Sequence, residues 1–206
     1  MASINDFIAS GDFTIGTLDS KSRIAPISKN GKPVTIMLSA TPELQTPFSP
    51  WPSYDGGERT SLDLVCTPEL SRPAGHIDAV VKKQVHEDPS KWWSKVPKNL
   101  EDMHISARRP ASKAGYQDTF RTKCSFREKS ASFKAWDLES KHAVGAVLSV
   151  DELKNLDWVN SRMAMTVQLS GVYFQASGYG AVLNIKSVGL RAASAECPFA
   201  LVDPEE

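Results

Sequence analysis

Apolar and polar positions alternate in several short stretches of the chain. In "KPVTIMLSATPEL", Val34, Ile36 and Leu38 point one way and Thr35, Met37 and Ser39 the other. That period of two is the mark of a strand buried on one face. "TSLDLVC" repeats it, with Leu62, Leu64 and Cys66 sharing a face. Between them lies "TPFSPWPSYDGGERT", whose prolines and glycines give it turn chemistry. The two strands are expected to pair across this long excursion. From His76 the period changes. Ile77, Val80, Val81, Gln84 and Val85 fall on one helical stripe. Asp88 followed by Pro89 suits a second helical start, with Asp88 as N-cap. Residues 96–114 carry no period and read as a long loop.

The clearest predicted hairpin is "DTFRTKCSFREKSASFKAWD". Phe120, Thr122, Cys124 and Phe126 share one face, and Arg121, Lys123, Ser125 and Arg127 the other. Beyond the turn, Lys134 and Trp136 lie opposite Phe133 and Ala135. "SVDELKNLDW" reads as a short helix, with Ser149 and Glu152 forming a capping box. "RMAMTVQLSG" then sets Met163, Met165, Val167 and Leu169 against Ala164, Thr166, Gln168 and Ser170, and "AVLNIKSVGL" closes the sheet. The turn between these last strands is rich in aromatics. Tyr173 and Phe174 are neighbours on one strand, so they point to opposite faces and one of them points outward.

About six mostly antiparallel strands with one or two short helices predict a mainly β fold. The expected form is an OB-fold-like antiparallel Greek-key barrel with long inserted loops. A β-sandwich is the alternative. The expected organisation is one domain over residues 1–195, with an insertion around 67–118, and a short acidic C-terminal tail over 196–206. The chain has 206 residues, 41% hydrophobic and 23% charged, which suits one globular domain. No apolar run approaches the ~20 residues needed to cross a bilayer. The N-terminus lacks a basic and apolar leader pattern. An intracellular protein with no membrane partner is expected.

Enzyme and cofactor motifs are missing. There is no phosphate-binding G-x-x-x-x-G-K-[ST], no G-x-G-x-x-G before a helix and no G-x-S-x-G elbow. Cys66, Cys124 and Cys197 match no common zinc spacing, and His76, His86, His104 and His142 form no metal-binding pair. Asp55, Glu58 and Asp63 lack the spacing of a calcium loop. The expectation is a non-enzymatic protein without cofactor or metal.

Charge is zero overall but uneven. Residues 81–141 hold 14 basic and 8 acidic side chains, while both flanks are acidic. Fields act within a Debye length of about 8–10 Å, so the middle third can attract an anion locally. It also interleaves cations with aromatics. Arg121, Lys123, Arg127, Lys134 and Trp136 lie on the predicted hairpin, Trp92 and Trp93 stand among Lys91, Lys95 and Lys98, and "ARRP" adds Arg108 and Arg109. Stacking rings beside a cationic track are what single-stranded nucleic acid requires. A solvated basic face and a tryptophan covering a sheet edge are the plainer explanation of the same residues.

"TPELQTPFSPWPSYDGGERTSLDL" and "WVNSRMAMTVQLSGVYFQASGYGAVLNIKSVGL" together resemble viral and phage OB-fold single-stranded DNA-binding proteins of the large-DNA-virus replication type. The most specific parts are Pro47–Phe48 and Gly178–Tyr179–Gly180. "VDPEE" is similar to the acidic tails by which many such proteins engage replication partners. The resemblance implies a protein that coats single-stranded DNA in replication and recombination, in the host cytoplasm or nucleus, with replication proteins and further copies of itself as partners. Arg121, Lys123, Arg127, Lys134 and Lys186 would follow phosphates, and Trp136, Trp92, Trp93 and Tyr179 would stack bases. The alternative is a viral structural or assembly protein on a β-sandwich, with Phe48, Trp51 and Tyr54 at a subunit interface.

Overall fold

The last two strands form the centre of the sheet. In the computed structural model, β11 (Ser161–Gln175) and β12 (Gly178–Ala192) pair antiparallel along their whole length. The structure describes residues 2–38, 44–47, 49, 59–127, 130–137, 143–145 and 148–192. Met163, Met165, Val167 and Leu169 are buried, as their alternation requires. The ladder carries two irregularities. Ser170 is the extra residue on β11, and Lys186 is the extra residue on β12, exposed between Ile185 and Ser187. A bulge of this kind bends the strand and sharpens its twist.

Shorter strands assemble on both sides of this pair. β1 (Ala2–Ser3), β2 (Thr14–Ile15), β3 (Ile24–Lys29) and β4 (Lys32–Leu38) lie on the β11 side. Val34, Ile36 and Leu38 of β4 are buried and Met37 is exposed, as read from the alternation. On the β12 side are β5 (Arg59–Val65), β6 (Arg108–Arg109), β7 (Thr119–Arg127), β8 (Ser130–Ala131), β9 (Lys134–Asp137) and β10 (Ala143–Gly145). Phe120, Thr122, Cys124 and Phe126 face the core. Burial alone pushes the Cys124 thiol up to about 12, so it is a packed apolar group with no thiolate character at neutral pH.

Helices close the core. α1 (Ile4–Ala9) begins at a capping box of Ser3 and Asp6. α2 (Pro68–Glu87) has Thr67 as N-cap and Pro68 in its first turn. Its buried stripe includes Leu70, Ile77, Val80, Val81 and Val85. Gln84 sits on this apolar stripe because its amide serves β2: it donates to the Phe13 carbonyl and accepts from Ile15 N at 2.9 Å. α3 (Val150–Lys154) has the expected Ser149–Glu152 capping box. No helix among the described residues is long and apolar enough to span a bilayer.

Two expectations about strand pairing are corrected. β4 and β5 do not pair: β4 bonds to β3 and β11, while β5 runs antiparallel to β7 from Arg59↔Ser125 to Val65↔Thr119. The hairpin after β7 closes over only two pairs, Phe126↔Ala131 and Arg127↔Ser130. β9 then leaves to run parallel to β12. Within the expected insertion around 67–118, α2 and Trp92 pack into the same core as the strands. Among the described residues the sheet is mixed and its ladder runs as an open path from β1 to β5, a mainly β fold whose paired strands do not themselves close into a barrel. Residues 44–46 link β5 to β11 by a few isolated hydrogen bonds. Leu44 exchanges two backbone bonds with Met163 of β11, Val65 N of β5 donates to the Gln45 carbonyl at 2.8 Å, and Thr46 Oγ1 donates to the Asp63 carbonyl at 2.8 Å.

Candidate nucleic-acid interface

Tyr173 and Phe174 divide the β11 strand end between inside and outside. Phe174 is fully buried, stacked on Trp92 with centroids 4.8 Å apart and planes 5° apart. Trp93 meets Phe174 and Tyr179 edge-on, at 5.2 and 5.7 Å. Tyr179 is also fully buried, and its phenol oxygen lies 3.0 Å from His86 Nε2. Burial, helped by the Glu101 carboxylate, pushes that phenol up to about 12. The ring cluster is therefore a secondary core beneath the hairpin tip. Trp92 and Tyr179, expected to stack bases, are occupied by protein. Trp93 is half-buried and spends its edge on the same cluster.

Residues 101–111 cross this hairpin tip as a strap. The stretch expected to be a bare loop contains a 3-10 turn at Glu101–Met103 and the short strand β6. Ile105 N donates to the Tyr179 carbonyl at 2.8 Å. The glycines of "GYG" are explained by this crossing. A Cβ on Gly178 would stand 2.6 Å from the Met103 carbonyl oxygen, and one on Gly180 would stand 2.4 Å from that of Ile105. Two acids hold the strap. Asp78 on α2 accepts from Ala107 N at 3.1 Å and from the Ser106 hydroxyl. Asp118 accepts from Ala111 N at 2.9 Å and from Arg108 Nε at 2.7 Å, and these bonds hold its carboxyl below the usual carboxylate range.

Tyr173, on the other face, enters a cleft of about 300 Å³. Arg109 from the strap, Arg121 and Lys123 from β7, Ser61 from β5 and Leu183 from β12 line it with the tyrosine. Arg121 is held by Asp63 across the β5–β7 pair through two bonds, Nε at 2.8 Å and an η nitrogen at 2.7 Å. That pairing holds the guanidinium above its ordinary value, so it remains a cation. Arg109 Nε is buried without a hydrogen-bond partner among the described residues. Burial raises the Tyr173 phenol, and the neighbouring Arg109 and Arg121 cations partly offset this. The site is thus an aromatic ring beside three cationic side chains, with a neutral phenol at physiological pH.

The expected residues divide. Arg121 and Lys123 meet in the cleft. Lys134 and Trp136 are exposed, Trp136 at 39%. Register through the Lys186 bulge places them on the same sheet face as Lys123, but neither lines the cleft. Lys186 is exposed at the bulge itself. The side chain of Arg127 lies outside the described residues, as do Phe48, Trp51, Tyr54 and the acidic tail. Arg109 and Tyr173 complete the cleft. Their signal in the sequence was the outward half of an adjacent aromatic pair and a basic doublet in an unpatterned stretch.

No family model and no curated protein matches this sequence. Among solved structures, the single-stranded DNA-binding protein of bacteriophage Enc34 in complex with ssDNA aligns at 14% identity. The alignment covers 87% of this chain and 96% of that one, with a TM-score of 0.44. The same phage protein in another structure gives 11% identity over 93% and 96%, with a TM-score of 0.45. Gp2.5 of bacteriophage T7, a single-stranded DNA-binding protein, gives 17% identity over 78% and 87%, with a TM-score of 0.44. The role of the cleft rests on its own geometry.

Proposed function

We propose that this chain binds single-stranded DNA without sequence preference and does no chemistry on it. The observation that carries the reading is the cleft itself: Tyr173 faces outward between Arg109, Arg121 and Lys123. Each nucleotide of a single strand offers a π-face and a phosphate, and this cleft offers a ring and cations at matching places. Duplex DNA hides its base faces and lacks the first of these contacts. Lys134, Trp136 and Lys186, exposed on or beside the same sheet face, extend the reading to a longer track. A coat on replication or recombination intermediates, with replication proteins engaged through the acidic tail, belongs to this proposal. So does an OB-like reading of the fold, which the hydrogen bonds linking β5 to β11 through residues 44–46 support.

The test is fluorescence anisotropy of labelled oligo-dT, titrated over a range of salt with duplex DNA as competitor. Binding is expected to prefer the single strand and to weaken with log[salt] at about −0.7 per phosphate contact. Replacing Arg109 and Lys123 together by Ala is expected to make that slope shallower. Absence of binding at low salt removes the proposal.

A further inference from the structure

Arg109 and Arg121 line two cavities, not one. Beyond them, away from Tyr173, lies a second space of about 490 Å³. Its walls include Pro47, Asp63, Pro110, Ala111 and Tyr116. The size falls within the range of small-molecule sites. Tyr116 is 57% exposed, more than any other large hydrophobic side chain among the described residues. It is carried on the short loop between β6 and β7. That loop turns at Gly115, whose φ is +86°, and is closed by Tyr116 N donating to the Lys113 carbonyl. The root of the loop is fixed by the two bonds to Asp118. A ring held out on an anchored loop is placed for contact with something other than the core.

Resting on the single-strand reading above, we infer that this second cavity is a nucleobase subsite, with Tyr116 as its stacking ring. A DNA strand crosses the Arg109–Arg121 ridge with a phosphate on the ridge, one base on Tyr173 and another on Tyr116. Charge decides which part of the nucleotide goes where. Asp63 lines the second cavity and occupies one edge of the Arg121 guanidinium. A carboxylate repels phosphate and accepts hydrogen bonds, so the cavity takes a neutral base. The remaining N–H groups of Arg121 serve the phosphate above.

The experiment compares wild type, Tyr116→Ala, Tyr116→Phe and Tyr173→Ala by anisotropy. Each is titrated with a labelled 12-nucleotide oligo-dT and with an abasic strand of the same length. Because Tyr116 is exposed, its truncation leaves the fold in place. Tyr116→Ala is expected to weaken oligo-dT binding about tenfold, with an unchanged salt slope, while Tyr116→Phe matches wild type. On the abasic strand, wild type and Tyr116→Ala are expected to be equal. Wild-type affinity in Tyr116→Ala, with Tyr173→Ala weakened, overturns the subsite and leaves the single-strand reading standing. A shallower salt slope in Tyr116→Ala, or an equal loss on the abasic strand, makes Tyr116 a backbone contact and also overturns it. No binding by wild type to either strand removes the single-strand reading itself.

Discussion

At the scale of the residue, two neighbours on β11 have opposite tasks. Phe174 packs on Trp92 inside, and Tyr173 stands among cations outside. Tyr173→Ala is expected to weaken oligo-dT binding by about 1–3 kcal/mol, the contribution of one stacked base, while Tyr173→Phe stays near wild type. Anisotropy reads both, and wild-type affinity in the alanine variant excludes Tyr173 as a stacking ring. The tryptophans divide the same way. Trp92→Ala removes a buried ring and is expected to cost about 3–5 kcal/mol of stability, whereas Trp136→Ala, at an exposed position, stays within about 0.5 kcal/mol. Urea unfolding distinguishes them, and equal midpoints contradict the assignment of Trp92 to the core.

At the scale of the element, the strap converts packing on one side of the hairpin into geometry on the other. Gly180→Ala would drive a methyl into the Ile105 carbonyl and crowd the Tyr173 hydroxyl, 3.1 Å from the new carbon. It is expected to lower stability and oligo-dT affinity together, while Gly75→Ala, which has open space within α2, leaves affinity unchanged and raises stability by about 0.5–1 kcal/mol. Unchanged affinity in a folded Gly180→Ala protein means the strap does not set the cleft.

The strap also carries a pH dependence. Burial holds the His104 imidazole below its ordinary value. Lys82 and His86 act in the same direction, and Asp78 and Glu101 oppose them. The Tyr179 ring, facing it at 5.3 Å, is neutral throughout this range. The unfolded chain takes up this proton first, near pH 6.5. Stability from this group is therefore complete above about 6.5 and declines as pH falls below it, until the folded ring itself protonates. Urea midpoints at pH 7.5 and 5.5 are expected to differ less in His104→Gln than in wild type. An equal difference removes His104 as a source.

At the scale of the whole molecule, faces were easier to read than partners. The burial of Val34, Ile36, Leu38, Phe120, Cys124 and the β11 methionines follows from alternation, because a period of two places side chains without regard to what the strand pairs with. Pairing is non-local. Nothing in "TSLDLVC" distinguishes β4 from β7 as its neighbour, and nothing in "SFKAWD" announces that the strand will leave its hairpin for β12. The cleft has the same limit. Arg121 and Lys123 were visible as one face of a strand, but Arg109 joins them only because Asp78 and β7 hold the strap there. Trp92, Trp93 and Tyr179 pack in a second cluster, and an aromatic beside lysines or glycines looks the same in sequence whether it serves a ligand or such a cluster.

Chain order adds a consequence in time. Among the described strands, β11 and β12 are synthesised last, yet they are the members to which β3, β4, β7 and β9 attach. The earlier strands emerge with their central partner still unmade, and their apolar faces wait for it. Such sequence-distant pairing makes folding slow and leaves intermediates prone to aggregation. The cleft shares this schedule, since its walls come from β3, β5, the strap, β7, β11 and β12. Under the proposed function, a nascent chain cannot hold nucleic acid in the cleft until the final hairpin slots into the middle of what precedes it, so assembly of the sheet and competence to bind would arrive as one event.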